Sequence, residues 1–458
     1  MKKTIITLAT LLVCLSAMAQ YVPPVEQDVR DRIAEWQDLK FGMFIHWGAY
    51  SQWGVIESWS LCPDDIDWQY KARSDMDYFE YRNKYEGLKK TFNPVGFDPD
   101  KWAAAAEYAG MKYVVFTSKH HDGFCMFDTH QTDYKVTSEE CPFHNDPRAN
   151  ITKAVLDAYR AHGIKAGVYF SFPDWHNNDY WWRRFPPKGK YINYDPAKHP
   201  EKWAAYQDFI AAQLDELSGG EYGPLMLMWY DMPVTDKERT VEYDWERFAG
   251  VVRGNQPGII MVGRGMKNEY ENYHTPEQEI PEKALDYPWE SCITMTYSWS
   301  WRPNLKYKSV DTILKMLVSI VSRGGNLLLN VGPNGNGEWD DDAYARLREI
   351  GDWMKVNGEG IYGTKAVEPY QKDNVYYTSK DDCVYAFYVP GEGEESLPAQ
   401  IDLGPFKPVS SKAVRLLGCK GSLKWTADAE GSVSVRVPAQ ILSKLPCEHI
   451  WCFKIKVK

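Results

Sequence analysis

The chain has 458 residues, a formal net charge of −10, and 19 Trp, 30 Tyr and 17 Phe. This length is enough for one large domain followed by a small one. The acidic balance argues against a nucleic-acid ligand.

The first twenty residues, "MKKTIITLATLLVCLSAMAQ", have the pattern of a secretory signal. Two lysines precede an apolar run that is too short to span a bilayer, and Ala17-Met18-Ala19 provides a small-residue cleavage site. Cys14 suggests lipidation, but the preceding Val13 is bulkier than that processing accepts. We therefore predict a signal peptide over residues 1–19 and an exported chain, periplasmic or secreted, rather than a lipoprotein. No later segment has the length of a membrane span.

Eight cysteines follow the predicted signal peptide, and none of them forms a CxxC motif. Thioredoxin-like chemistry and a ribbon-type zinc site are therefore not indicated. Several of these cysteines lie in apolar runs, which favours buried free thiols. The sequence leaves disulfide pairing and the oligomeric state open.

Short apolar runs alternate with helix-length amphipathic stretches from about residue 41 onward, as in β/α units around a parallel sheet. The predicted strands are Phe41–Gly48, Lys112–Ser118, Lys165–Ser171, Leu225–Asp231, Gly258–Gly263, Ser291–Met295 and Asn326–Gly332. The clearest predicted helices are Asp98–Gly110, Asn150–Gly163, Pro200–Leu217, Ser309–Gly325 and Asp340–Gly358.

Six or seven such units without a GxGxxG or P-loop motif favour a barrel over a doubly wound sheet. We therefore predict an α/β fold, a distorted (β/α)8 TIM-like barrel over residues 20–363. Beyond it, alternating segments such as "NVYYTSKDDCVYAFYV" and "SVSVRVP" predict a small antiparallel β-sandwich domain over residues 364–458.

Polar and aromatic side chains recur where the predicted strands end. In a barrel of this type the carboxyl ends of the strands meet at one face, which is where the chemistry gathers. The residues at these ends are His46 and Trp47, the run His120-His121-Asp122, Asp174 and Trp175, Trp229 to Asp231, and Arg264.

A metal site built from His46, His120, His121 and Asp231 is one interpretation of these residues. Adjacent histidines of an extended segment point to opposite sides, however, so His120 and His121 are not expected to share an ion. We favour a site without metal, in which neutral imidazoles bond hydroxyl groups and indoles stack on a sugar.

Asp231 stands directly after the strongly apolar run Leu225 to Tyr230. Keeping a carboxylate at the end of a buried strand is costly unless the fold gives it partners or a task. On a sugar-binding barrel that task is attack on an anomeric carbon, which requires a second carboxyl group as the proton donor.

Several motifs together resemble glycoside hydrolase family 29, the retaining α-L-fucosidases. The resemblance covers roughly residues 27–363 in order and rests on "FGMFIHWGAYS", "YVVFTSKHHDGFCMFDT", "GVYFSFPDWH", "LMWYDM", "TPEQEIP", "PWESCITM" and "GGNLLLNVGPNGNGEW". It implies the trailing β domain, a fucosylated oligosaccharide or glycoconjugate as substrate, and no metal or organic cofactor.

The resemblance also implies roles for individual residues. Asp231 matches the family's nucleophile and Glu290, in "PWESC", matches the general acid/base. The implied substrate-binding residues are His46, Glu57, Trp59, His120, His121, Tyr169, Trp229 and Arg264.

Two departures from the family pattern weaken parts of this assignment. Ser58 separates Glu57 from Trp59, which form an adjacent pair in the family, and "SWSWRPN" replaces a usual Gly-Tyr pair after Glu290. The carboxylates that compete with Glu290 for the role of acid are Glu57, Glu269, Glu271 and Glu277.

The expected activity is release of terminal α-L-fucosyl residues by double displacement, with net retention. Two alternatives stay open at this point. One is a fucose-binding protein without catalytic activity on the same scaffold, and the other is a related glycosidase acting on a β-D-galactoside.

Overall fold

The computed structural model describes residues 21–63, 75–187, 189–231, 242–266, 268–391, 393–394 and 396–457. Its larger part is a TIM-like half-barrel of seven parallel strands in the spatial order β5-β4-β3-β2-β1-β7-β6. The strands are β1 Phe41–Ile45, β2 Tyr113–Lys119, β3 Lys165–Ser171, β4 Leu227–Asp231, β5 Ile260–Val262, β6 Glu290–Thr294 and β7 Asn326–Val331.

The strands form from apolar runs because both faces of the sheet are covered. Every residue of the seven strands is buried except Lys165 at the start of β3. The parallel register pairs Ser171 with Asp231 and Ile45 with Val331, so these strands finish at one edge. All seven predicted strands are confirmed, with ends that differ by at most three residues.

The described residues of this part form eight α-helices, which lie between the strands or flank them. They are α1 Gln27–Leu39, α2 Tyr78–Glu86, α3 Pro99–Tyr108, α4 Ile151–Ala161, α5 Pro200–Ser218, α6 Trp245–Asn255, α7 Val310–Ser322 and α8 Asp341–Asn357. Side-chain caps begin five of them, since each cap accepts a hydrogen bond from a backbone N–H three residues later: Asp77, Asp98, Asn150, Asp244 and Ser309. The five predicted helices are confirmed.

An irregular extended stretch, residues 272–278, lies where an eighth strand would close the barrel; we term it the closing segment. On one side the Asn272 N–H donates to the Met261 carbonyl of β5 (2.9 Å). On the other side the Glu290 N–H donates to the His274 carbonyl (2.9 Å), and the Gln278 N–H donates to the Cys292 carbonyl (3.0 Å). The predicted distortion of the barrel is therefore located here.

The C-terminal part consists of two antiparallel sheets, with the strand orders β12-β15-β10-β9-β8 and β11-β14-β13. The elements are β8 Lys365–Lys372, β9 Val375–Lys380, β10 Cys383–Tyr388, β11 Gln400–Asp402, β12 Val414–Leu416, β13 Lys424–Ala427, β14 Val433–Arg436, α9 Ala439–Leu442 and β15 Trp451–Lys456. The predicted antiparallel β domain is thus confirmed, while the exact boundary at 363/364 stays a prediction.

The two parts pack through a continuous apolar core. Trp353 of α8 and Phe387 of β10 belong to the same buried cluster. The Trp353 indole N–H donates to the Ile450 carbonyl (2.7 Å), and the Thr378 hydroxyl donates to the Gly360 carbonyl (2.8 Å). The C-terminal domain therefore covers apolar surface of the barrel helices.

The described cysteines, Cys62 onward, are all free thiols, and six of the eight are buried. Among the described helices, none is both long enough and apolar enough to cross a bilayer.

Candidate active site

A cavity of about 770 Å³ opens at the carboxyl ends of the parallel strands. Nearly all of the predicted site residues line it: His46, Glu57, Trp59, His120, Tyr169, Trp229, Asp231 and Arg264. His121 lies directly behind them, with its Nε2 3.5 Å from the Asp231 carboxylate. The strand ends therefore converge as predicted.

Asp231 is the last residue of β4, and its carboxylate is bound on both oxygens. The Tyr169 hydroxyl donates to Oδ2 (2.7 Å), and Arg264 Nη1 donates to Oδ1 (3.2 Å). Tyr169 reaches it from β3, the neighbouring strand, so the contact is fixed by the sheet. These hydrogen bonds compensate for the cost of burying a carboxylate at the end of a strand.

Arg264 joins Asp231 to a second carboxylate, that of Glu277 in the closing segment. Its Nη2 binds Glu277 Oε2 in a close ion pair, while the Trp299 indole N–H donates to Glu277 Oε1 (3.1 Å). Burial disfavours the cation, but the two carboxylates outweigh this effect and raise the pKa of Arg264. One guanidinium thus holds two carboxyl groups side by side in the cavity.

The three histidines are neutral because they are buried. Burial lowers the pKa of His46 and of His121 to about 4, and lowers that of His120 well below its usual value. Each ring is held through Nδ1, by Asn330 for His46, by Ser58 for His120 and by Ser171 for His121.

The partners of His46 and His121 also fix their tautomers. The Asn330 amide oxygen can only accept, and Ser171 already donates its hydroxyl hydrogen to the Pro173 carbonyl. Nδ1 is therefore the donor in both rings, and Nε2 is left as an acceptor. Acceptors of this kind suit the hydroxyl groups of a sugar.

His120 and His121 do not point to opposite sides, which corrects the expectation from the sequence. β2 ends at Lys119 with a register irregularity, so neither histidine follows strand alternation. Their ring centroids are 4.3 Å apart, and ligand atoms of both lie within 4.8 Å of one from Asp231. Arg264 bonded to the same carboxylate disfavours a metal cation there, because its charge already occupies the site.

Glu57 is a buried carboxyl group on the cavity wall. The Ser300 N–H donates to its Oε1 (2.6 Å), and burial raises its pKa to about 8. Trp59, in the 3₁₀ helix Ser58–Leu61, packs edge-on against His121 with ring centroids 5.2 Å apart. The intervening Ser58 is thus accommodated by a turn, and both residues reach the cavity.

Stacked rings form the floor of the cavity. The Tyr169 ring lies between His120 and Trp229, with centroid distances of 5.4 and 5.5 Å. Phe44 packs against Trp229 at 5.2 Å. These rings provide apolar surface beside the polar groups, as carbohydrate sites require.

Glu290 does not reach the cavity, and this contradicts its assignment as the acid/base. It is the first residue of β6, at the amino end of the barrel, about 13 Å along the strand from Thr294. Fully buried, it accepts hydrogen bonds from the Tyr113 and Tyr273 hydroxyls and from the Trp229 indole. Burial raises its pKa to about 7.

Glu277 occupies the place that Glu290 was expected to fill. It was one of the competing carboxylates, and the structure favours it because it lines the cavity and shares Arg264 with Asp231. Glu269 and Glu271 do not line the cavity, and Glu57 does. Trp299 was not predicted, although its segment, "SWSWRPN", was noticed as a departure from the family pattern.

Two carboxylates held beside one another in an enclosed, ring-lined cavity are what cleavage of a glycosidic bond requires. Together with the TIM-like half-barrel, they define a glycoside hydrolase.

The chain belongs to the α-L-fucosidase family, glycoside hydrolase family 29. The family model described as "Alpha-L-fucosidase" matches residues 10–359, and that described as "Alpha-L-fucosidase C-terminal domain" matches residues 368–456. The chain is thus an exo-acting α-L-fucosidase, as the motifs predicted.

Curated relatives agree over nearly the whole length. The chain is 29% identical to "Alpha-L-fucosidase" of Branchiostoma floridae, covering 98% of this chain and 99% of the relative. It is 28% identical to human "Tissue alpha-L-fucosidase", covering 93% of this chain and 90% of the relative.

Solved structures share the fold. "Alpha-L-fucosidase isoenzyme 1" from Paenibacillus thiaminolyticus matches with a TM-score of 0.77 and 29% identity, covering 94% of this chain and 100% of the other. A family 29 α-L-fucosidase of Bacteroides thetaiotaomicron matches with a TM-score of 0.75 and 23% identity, covering 96% and 98%. That structure is of a trapped covalent intermediate, in complex with 2-fluoro-fucosyl fluoride, of a Glu-to-Gln mutant.

Proposed function

We propose that this α-L-fucosidase works by double displacement, with Asp231 as the nucleophile and Glu277 as the acid/base. The observation that carries the proposal is the bridge of Arg264 between the two carboxylates. The covalent intermediate trapped in the Bacteroides relative supports a nucleophilic carboxylate. Retaining glycosidases need such a pair at about 5 to 5.5 Å.

In the first step, an Asp231 oxygen attacks C1 of the fucosyl residue while Glu277 gives a proton to the departing glycosidic oxygen. Arg264 and Tyr169 hold the Asp231 carboxylate in place for attack. In the second step, Glu277 takes a proton from a water molecule as its oxygen attacks C1, the bond between C1 and the Asp231 oxygen breaks, and fucose leaves with net retention. The neutral histidines and Glu57 orient the ring hydroxyls.

Replacing Asp231 with Gly tests the nucleophile. We expect kcat on an aryl α-L-fucoside to fall by at least about 1000-fold with the fold intact, because the covalent step is lost. Added azide should restore turnover and yield the β-fucosyl azide, since the space of the carboxylate admits an external nucleophile. An Asp231→Gly variant with an unchanged rate would refute the assignment.

We also propose that the enzyme is exported to the periplasm or the medium and acts on fucosylated oligosaccharides or glycoconjugates. The support is the signal-like composition of residues 1–19, which lie outside the described residues. The mass of the mature protein after cell fractionation tests this. Cytosolic protein that retains residues 1–19 would contradict it.

A further inference from the structure

Tyr297 presents an exposed aromatic ring on the wall of the cavity. It is 75% exposed, whereas Trp229 and Tyr169 in the same cavity are 2% and 1% exposed. Among the exposed large apolar side chains in the described part of the chain, Tyr297 alone lines this cavity. An exposed ring of this kind lies at the mouth, outside the buried rings of the floor.

The proposed chemistry places the next sugar of the substrate beside this ring, and this step rests on the proposed function. Glu277 protonates the oxygen that joins fucose to that sugar, so the sugar must adjoin Glu277. The Trp299 indole holds Glu277 at 3.1 Å, and Tyr297 lies two residues earlier in the same loop after β6. The loop that holds the proposed acid therefore also carries Tyr297 on the cavity wall.

Lys308 holds the loop and the ring in a defined position. Its ammonium donates to the Thr294 hydroxyl (3.3 Å) and to the carbonyls of Thr294 and Thr296. The same ammonium lies 4.7 Å from the centroid of the Tyr297 ring, a cation–π contact. A ring that is fixed before the ligand arrives loses less entropy on binding.

We propose that Tyr297 is the stacking platform for the sugar to which the fucosyl residue is linked. The phenol ring covers an apolar face of that sugar, so the ring selects fucosylated oligosaccharides over fucosides with a small leaving group. The fucosyl ring itself lies deeper and makes no use of this contact.

Kinetics of Tyr297→Ala on two substrates test the proposal. A fucosyl disaccharide has the second sugar, whereas α-L-fucosyl fluoride has only a fluorine in its place. We expect kcat/KM of the variant to fall about tenfold on the disaccharide and to stay within twofold on the fluoride. Tyr297→Phe retains the ring and should keep the wild-type value on both substrates.

Tyr108→Ala is the matched control. Tyr108 lies on α3, outside the cavity, is 43% exposed and has the Lys355 ammonium 3.6 Å from its ring centroid. This variant should leave both kcat/KM values unchanged.

Three results would contradict either the stacking role of Tyr297 or the proposed function. An unchanged disaccharide kcat/KM in Tyr297→Ala, or equal losses on both substrates, would refute the stacking role. A wild-type enzyme that does not hydrolyse the fluoride would instead refute the proposed function.

Discussion

At the scale of single residues, replacing Glu277 with Gln and replacing Glu290 with Gln should have different effects on activity and stability. Glu277→Gln removes the proton donor, so kcat on a fucosyl disaccharide should fall by about 100- to 1000-fold. The kcat/KM value for α-L-fucosyl fluoride should fall much less, because this ratio reports the first step only and fluoride leaves without protonation. Steady-state kinetics on both substrates measure the difference.

Glu290→Gln is the matched variant, because it makes the same chemical change outside the cavity. It disturbs buried hydrogen bonds to Tyr113, Tyr273 and Trp229, so the melting temperature should fall. Disaccharide kcat should stay within about tenfold of wild type. If Glu290→Gln instead showed the larger loss and the sparing of the fluoride, Glu290 would be the acid after all.

Glu57 makes stability depend on pH. Its pKa is about 8 in the folded protein, compared with an ordinary value of 4.5, which we take for the unfolded chain. Below pH 4.5 the carboxyl group is neutral in both states, and its contribution to stability is fully present. Between pH 4.5 and 8 Glu57 is ionised in the unfolded chain only. Its contribution to the free energy of unfolding therefore falls by about 1.4 kcal/mol per pH unit.

Glu57→Gln removes that component of the slope. Urea denaturation of wild type and variant at pH 5, 6 and 7 measures the two slopes, and the variant should show the shallower decline. Identical slopes would mean that Glu57 is ionised in the folded protein.

The sequence identified Asp231 and the histidines because they follow regular strands, where the residue that ends the strand can be located by counting. It led to Glu290 as the acid, where we propose Glu277, because a motif match does not tell at which end of a strand a residue lies. Glu290 begins β6, so its side chain lies at the amino end of the barrel. Glu277 belongs to an irregular segment, whose path depends on the strands on either side.

At the scale of elements, a buried ion pair ties the end of β2 to the turn after β3. The Lys119 ammonium lies 3.4 Å from the Asp174 carboxylate and donates to the Gln213 side chain (2.9 Å), and Lys119 and Asp174 are buried. The Trp175 N–H donates to the His121 carbonyl (2.7 Å) in the same turn. The pair thus supports the loops that carry His121 and Trp175.

Lys119→Met should lower the free energy of unfolding by about 3–5 kcal/mol, because Asp174 is left buried without its cation. Lys84→Met, in the exposed pair with Glu80, is the control and should cost less than about 1 kcal/mol. Chemical denaturation measures both. Equal losses of unfolding free energy in the two variants would show that the buried pair stabilises the fold no more than the exposed pair does.

Regular elements were predictable where local patterns agree with the fold. The five predicted helices were recognised as helix-length stretches between the apolar strands, and caps such as Asp98 and Asn150 agree with their starts. Three helices, α1, α2 and α6, were not predicted. In α2 the buried side chains are Tyr81, Arg82 and Tyr85, which do not form a simple apolar stripe. Such helices are specified by tertiary packing more than by their own periodicity.

At the scale of the whole molecule, the C-terminal domain completes the core of the barrel. Residues of β10 and β15, such as Phe387 and Cys452, belong to the same buried cluster as Trp353 and Ile361. The sequence predicted the domain but not this role, because contacts between distant segments leave no local pattern.

A chain ended after Gly363 should therefore not fold, since it would expose the apolar surface around Trp353. We expect little soluble protein and no cooperative thermal transition, compared with the full chain expressed in parallel. Soluble truncated protein with the wild-type kcat/KM would show that the barrel is stable alone.

The closing segment has a consequence for how such enzymes diverge. A nucleophile on a regular strand keeps one position in a sequence alignment. A one-residue insertion in the strand would turn every later side chain to the other face of the sheet. The proposed acid, Glu277, lies on backbone that lacks regular pairing, so a homologue can lengthen or shorten that stretch and still place a carboxyl group at the same point in space. Members of one lineage can then share a proton donor in three dimensions without sharing it in sequence.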